Sequence, residues 1–327
     1  MKDGLIFANA RAKAKELNLF TEERLHRMME SKTIDDAVRL LSEVNYAGGI
    51  PIDRDNFYQA LIEEEKQATD FVKSCTPKGI GIECFFLRND YHNLKALVKA
   101  KYSNISDISV MILPDGNYAF SELADRFENN KLAFVNSYMN DAVKNIEKAF
   151  ETGNGTPRKI DTEIDKAMYR EINDILSKKD VDEYIKQYFV TFIDATNIGT
   201  LLRTINIGAN FAFFEENFIE GGELGLYAFR ECGVDEQKLA KLVNGTSYKN
   251  FYAKISDGDM SGYETAKDEY LLNIFATNRG DMFSLAPIVG YYLAKLNEVK
   301  VLRVVLVCIK NNVPAEEMKK RVRALYA

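Results

Sequence analysis

Six prolines in 327 residues leave long stretches without a helix breaker, which favours long helices. Four cysteines (Cys75, Cys84, Cys232 and Cys308) are scattered without Cys-x-x-Cys spacing, and no apolar leader opens the chain. Free thiols in a reducing cytoplasm are the expectation. The longest apolar run, residues 304–309, falls far short of the ~20 residues that a membrane span needs. Histidine is limited to His26 and His92. No Gly-x-Ser-x-Gly, no phosphate loop closing in Gly-Lys-Ser/Thr, no His-Glu-x-x-His and no paired cysteine ligands occur, which argues against nucleotide hydrolysis by this chain. A net charge of −6 supplies no cationic surface for phosphates, so no nucleic-acid partner is expected.

Apolar residues are 46% and charged residues 28% of the chain, an ordinary globular balance. At this length two or three sub-bundles sharing an interface are expected. One stretch recurs. Asp90-Tyr91-His92-Asn93-Leu94-Lys95 is followed 104 positions later by Asp194-Ala195-Thr196-Asn197-Ile198, and after another 104 by Glu298-Val299-Lys300-Val301-Leu302. An acid comes first in each copy, placed to meet the free N–H groups of a starting helix. Leu94, Ile198 and Leu302, then Leu97, Leu201 and Val305, then Val98, Leu202 and Leu306 keep the spacing of a buried helical stripe. Asn104, Gly208 and Asn312 share the last column, where a left-handed helix end favours Gly or Asn.

Only 30 residues run from Glu298 to the end, and 89 precede Asp90. Together they amount to about one repeat. A closed set of three similar units is therefore expected, the C-terminal helix docking with the N-terminal segment. The expected sub-bundles are residues 1–86 completed by the C-terminal helix, 87–191, and 192–327.

The first helix is expected over residues 5–20, carrying Leu5, Ile6, Ala10 and Leu17 with Arg11, Lys13 and Lys15 interleaved. Thr33 and Asp36 have capping-box spacing. Helices are expected over 56–74, 120–150, from 160 towards 176, and near 223–231, 235–243, 247–254, 264–275 and 285–295. Pro314, Glu316 and Glu317 open a last helix ending in Lys319, Lys320, Arg321 and Arg323. Residues 109–113 and 301–309 are β-prone, but the second lies inside the third copy and is expected to be helical.

Asp257, Asp259, Ser261, Gly262 and Asp268 fit a calcium-loop template, yet Glu264 stands where an apolar residue pins such loops. A plain helix connection is the favoured reading. Asp161 and Asp165 lie one helical turn apart, as in some metal-binding helices. A helical metal-dependent hydrolase using Asp161, Asp165, Asp257 and Asp259 is one alternative, and a soluble helical-repeat adaptor another. The bland account of the acid pair is a solvated face, with Asp161 beside Lys166 or Asp165 beside Tyr169. His92 next to Asn93 is a conceivable general base, but Thr196 occupies its column in the second copy, so a surface or packing role is favoured.

Several motifs carry a family resemblance. They are Asn9-Ala10-Arg11-Ala12, Asp90 to Leu97, Ile160-Asp161-Thr162-Glu163-Ile164-Asp165-Lys166-Ala167, Ile193 to Arg203, Phe218-Ile219-Glu220-Gly221-Gly222, and the closing Arg321 to Tyr326. Across nearly its whole length the chain resembles the C (or d) subunit of V-type and archaeal-type rotary ATPases. It departs at Asn297 and Val301, where the family more often has Glu and Asn. The resemblance implies an all-α, funnel-like protein of three sub-bundles in pseudo-threefold arrangement, with no active site, cofactor or metal. It implies a rotor subunit on the cytoplasmic face of the membrane, peripheral through protein contacts. The implied partners are the proteolipid ring and the D- and F-type subunits of the central shaft. On this reading Asp90, Asn93, Asp194, Asn197 and Glu298 are scaffold residues of the repeat, with Lys95, Lys99 and Arg203 flanking them.

Overall fold

The computed structural model describes residues 2–77, 79–103, 105, 107–253, 255, 259–319, 322 and 325. Asn104, Asp257, Lys320, Arg321, Arg323 and Tyr326, all singled out above, lie outside the described residues. Among the described residues the chain is all-α, with sixteen α-helices, three short 3-10 turns and no strand. In order these are α1 (Lys2–Glu16), α2 (Glu22–Met29), α3 (Ile34–Ser42), α4 (Phe57–Cys75), α5 (Cys84–Ser103) and α6 (Phe120–Glu128). There follow α7 (Ser137–Glu151), α8 (Pro157–Leu176), α9 (Glu183–Asn206), α10 (Phe211–Asn217) and α11 (Leu226–Cys232). The last are α12 (Glu236–Asn244), α13 (Lys249–Tyr252), α14 (Met260–Ala276), α15 (Ala286–Lys310) and α16 (Ala315–Lys319). No helix among the described residues is long and apolar enough to cross a membrane. All four cysteines are free thiols.

Local chemistry sets the helix starts. Thr21, Thr33, Thr156, Asn136, Asp182 and Asp235 each accept a backbone N–H from the first turn of the helix they precede. At α3 the Thr33 hydroxyl accepts the Asp36 N–H at 3.1 Å and donates to the Asp36 carboxylate at 2.6 Å. The expected box is thus closed through the hydroxyl. The helical pattern over 120–150 resolves into α6 and α7, because Asn130 takes a left-handed backbone (φ +53°) and a 3-10 turn, Leu132–Phe134, follows. The β-prone residues 109–113 include another such turn, Ser109–Met111, and residues 301–309 are helical within α15.

The chain forms two compact units, one of Met1–Pro77 with Glu269–Ala327 and one of Lys78–Asp268. In the first, α15 packs against α1, α2, α3 and α4. Its Val299, Leu302, Val305 and Leu306 share a core with Leu25, Met28, Leu41, Phe57 and Leu61. In the second, α5 and α7 both pack on α8. All nine stripe positions of the three copies are buried.

Two expectations need correction. The buried face of α1 is Ala8, Asn9 and Ala12, whereas Ala10 and Leu17 are exposed and Leu5 and Ile6 only half-buried. Small alanines let α1 lie close to α15, and the Asn9 amide is needed inside, donating to the carbonyls of Met282 (3.0 Å) and Ser284 (2.9 Å). Asp90, Asp194 and Glu298 do not open their own helices. Each lies well inside α5, α9 or α15, whose helical pattern begins upstream. The helix stops fare better: Gly208 (φ +66°) and Asn312 (φ +56°) are left-handed.

Leu302→Ala is expected to destabilise by about 2–5 kcal/mol through a cavity in the core. Val304→Ala, at 38% exposure on the opposite face, should stay within about 0.5 kcal/mol. Urea unfolding of both variants checks the stripe.

Candidate functional site

The buried polar side chains of this protein include Asp90, Asn93, Asp194, Asn197, Lys295 and Glu298, set among apolar neighbours. A buried carboxylate or amide is costly unless partnered, and each of these is. In α5, Asp90 accepts the backbone N–H groups of Asn117 (2.9 Å) and Tyr118 (3.1 Å) and the side-chain amide of Asn117 (2.9 Å). One turn on, Asn93 grips Leu113 twice: its Nδ2 donates to the Leu113 carbonyl and its Oδ1 accepts the Leu113 N–H, both at 2.8 Å.

The second copy repeats the backbone contacts atom for atom. Asp194 accepts the N–H groups of Glu223 (2.9 Å) and Leu224 (3.0 Å), while Asn197 donates to the Ile219 carbonyl (2.8 Å) and accepts the Ile219 N–H (3.0 Å). The Tyr248 hydroxyl adds a third donor to Asp194 at 2.6 Å. Each Asp–Asn pair is a clasp. It holds the segment that returns along its helix and supplies acceptors to the turn leading into α6 or α11. The turns Pro114–Gly116 and Glu220–Gly222 therefore need glycine: a Cβ on Gly116 would stand 2.1 Å from Asp90 Oδ1, and one on Gly222 1.9 Å from Asp194 Oδ1.

The third copy is built differently. Val301 has no amide, and Glu298 reaches the N-terminal segment, where its Oε2 accepts the Phe20 N–H at 2.6 Å. Its Oε1 meets Lys295 Nζ at 2.7 Å, and Lys295 also pairs with Glu64 at 3.0 Å. Glu64 in turn accepts the Ala47 N–H at 2.7 Å. The Lys295 ammonium stands 4.9 Å from the Tyr46 ring centre. The Tyr46 hydroxyl is buried beside Glu298 without a hydrogen bond of good geometry.

The flanking cations are engaged. Lys95 pairs with Asp165 at 2.6 Å and lies 3.9 Å from Asp161, and Lys99 pairs with Asp161 at 2.7 Å. Arg203, one repeat on from Lys99, pairs with Glu264. Asp161 and Asp165 thus meet lysines of α5. Asp259 accepts the Gly262 N–H at 2.9 Å, and no His/Cys/Asp/Glu group among the described residues is arranged to hold a metal. His92 is exposed, its Nε2 2.9 Å from the Met111 carbonyl, where it steadies the 3-10 turn; His26 is exposed on α2.

Similarity to known proteins runs along almost the whole chain. The ATP synthase (C/AC39) subunit family matches residues 8–321. This chain belongs to that family. Its relatives include the C subunit of the V-type sodium ATPase of Enterococcus hirae, 22% identical over 97% of this chain and 98% of the relative. The C subunit of the A-type ATP synthase of Thermococcus kodakarensis is 26% identical over 96% of this chain and 88% of the relative. That of Methanocaldococcus jannaschii is 24% identical over 96% and 84%. Family membership makes the chain a non-catalytic accessory subunit of a V/A-type ATPase, with other subunits of that complex as its partners.

In this family member burial dominates the electrostatics of Asp194 and Glu298. Burial pushes the Asp194 carboxyl above its ordinary range, opposed by hydrogen bonds from Tyr248, Leu224 and Glu223. Burial likewise raises Glu298, opposed first by Lys295. Tyr248 is raised by burial and then by its bond to Asp194. Several partners escaped sequence reasoning. Tyr248, Phe20, Glu64 and Lys295 have no periodic signature, whereas Gly116 and Gly222 follow their acids at nearly the same interval and were within reach of the repeat.

Asp194→Asn turns one acceptor oxygen into a donor facing other donors, an expected loss of about 1–3 kcal/mol. A raised carboxyl pKa means that folding favours the protonated acid. The contribution of Asp194 is then fullest below about pH 4 and falls as pH rises through the raised value. The amide does not titrate, so the deficit of Asp194→Asn should widen from neutral pH towards pH 4 in urea unfolding. A deficit that shrinks on acidification would mean that the three donors hold the carboxylate ionised.

Proposed function

We propose that this chain is the rotor element that joins the central shaft to the membrane proteolipid ring of its ATPase, on the cytoplasmic face. The shaft partners are subunits of D and F type, and attachment to the membrane runs through protein contacts. The proposal extends to the architecture: three similar sub-bundles, residues 1–86 completed by the C-terminal helix, 87–191 and 192–327, in a pseudo-threefold funnel. The observation that carries this reading is the repeated clasp. An adaptor between two rotating parts must resist twisting, and each clasp ties a helix to its return segment through hydrogen bonds from buried side chains. The 104-residue interval supports it, since a recurring scaffold suits contact with a ring. A metal-dependent hydrolase is disfavoured, because Asp161 and Asp165 are neutralised by Lys95 and Lys99.

A tagged copy expressed in its own cells, purified after gentle detergent solubilisation, should bring down a small, very apolar proteolipid together with shaft subunits. A single band from the soluble fraction, with the membrane ATPase assembled without it, would reject the rotor role. Asn197→Leu should lower the melting temperature more than it lowers ring binding per folded molecule; the reverse order would make Asn197 a contact residue.

A further inference from the structure

The charges around Glu298 do not balance. Lys295 and Glu298 on α15 are each 2% exposed, and Tyr46, in the 3-10 turn Tyr46–Gly49, is 1% exposed. One ammonium, that of Lys295, serves two carboxylates, Glu298 at 2.7 Å and Glu64 of α4 at 3.0 Å. With both acids ionised the cluster carries one surplus negative charge out of water, and an uncompensated buried charge is costly. The Glu64 side chain is the more exposed of the two, at 14%, so the cost falls mainly on Glu298.

Among the described residues, the elements packed against α15 do not supply the missing cation. Helix α4 adds a further acid, Glu65, whose partner is Arg303 at 3.6 Å. On α1, Lys13 pairs with Glu16 at 2.8 Å. The buried residues of α2 and α3 are all apolar. Tyr291 of α15 faces Glu64 and Glu298 as well, and burial keeps its phenol neutral. Beside Glu298 lies a hydroxyl with unused capacity: Tyr46 Oη is buried without a hydrogen-bond partner, and a hydroxyl can either give or take such a bond. When ionised, Glu298 is an acceptor for the Tyr46 O–H. As the acid it can give its own O–H to Tyr46 Oη, while its oxygens go on accepting the Phe20 N–H (2.6 Å) and the Lys295 ammonium.

We propose that this cluster is a proton-binding site: one proton from water joins the Glu298 carboxylate, is held between it and Tyr46 Oη, and tightens the joint of α15 with Phe20, the Tyr46 turn and α4 as pH falls. The proton cancels the surplus charge, and no other covalent bond is made or broken. Burial raises the Glu298 carboxyl above its ordinary range, against the pull of Lys295, which is the direction such a site requires. Closing the joint then favours the bound proton. By linkage the closed form gains on the open one as pH drops towards the ordinary glutamate value of about 4.3, and the gain is lost as pH rises through the raised value. The inference concerns the chain by itself and does not depend on the rotor reading.

Hydrogen exchange of the full chain tests it. Glu298 holds the Phe20 N–H and Glu64 holds the Ala47 N–H, so both amides report opening of the joint. After correction for the intrinsic exchange rate, their protection in the unaltered chain should rise at least about threefold from about pH 7.5 to about pH 5. Glu298→Gln, which cannot titrate, should show no such rise. Where that variant does not fold, Glu64→Gln, which removes the surplus acid, should flatten the response instead. Protection that stays level or falls on acidification of the unaltered chain would overturn the site and leave a fixed network of ions. A rise that persists in the folded variant would put the titrating group elsewhere and overturn it equally.

Discussion

A carboxylate buried in the middle of a helix, with backbone N–H groups of a distant turn as its partners, is the constraint on which each clasped unit depends. Removing an acid from water is costly, and the cost is recovered only if every lone pair facing the interior finds a donor. Asp90 and Asp194 meet that demand with two consecutive backbone N–H groups each, so the turn cannot move without stranding the charge. The neighbouring amide removes the remaining freedom. Asn93 and Asn197 complete both hydrogen bonds of a single backbone residue, which fixes the return segment along the helix as well as across it.

The variant form at Glu298 shows how the same constraint is met when the geometry changes. Glutamate is one methylene longer, and it reaches across to the N-terminal segment at Phe20. A nearby lysine makes up for the missing second N–H, and Glu64 shares that lysine. The result is a buried chain of alternating charges in place of a neutral amide and a lone acid. Breaking either type leaves an unpaired charge inside, which is strongly destabilising.

Much of this was legible in the sequence because period and pattern are local. The apolar columns from Leu94 to Leu306 predicted nine buried positions, and Gly208 and Asn312 marked left-handed ends, since both follow from helix geometry alone. The acids were misread as starts of their own helices. An Asp before an apolar stripe has the same local appearance whether it caps its own helix or the turn that precedes another, and only the upstream residues of α5 and α9 decide. The face of α1 was misread for a related reason: Leu5, Ile6 and Leu17 are the more hydrophobic residues, but close packing on α15 selected alanines and an asparagine. Hydrophobicity ranks residues by their affinity for an interior, not by the spacing that a neighbouring helix allows. Partners such as Tyr248 of Asp194 and Glu64 of Lys295 come from tertiary approach, which leaves no mark in a single chain.

The core that α15 shares with α2, α3 and α4 has a consequence for the ribosome. The unit of Lys78–Asp268 is one uninterrupted stretch, all of it synthesised before α15. The helices before it are synthesised first, yet the residues that cover Leu25, Met28, Leu41 and Phe57 lie in Val299 to Leu306, well over two hundred positions later. Helices α2 to α4 therefore wait, this part of their apolar faces uncovered, until Val299 to Leu306 have been synthesised.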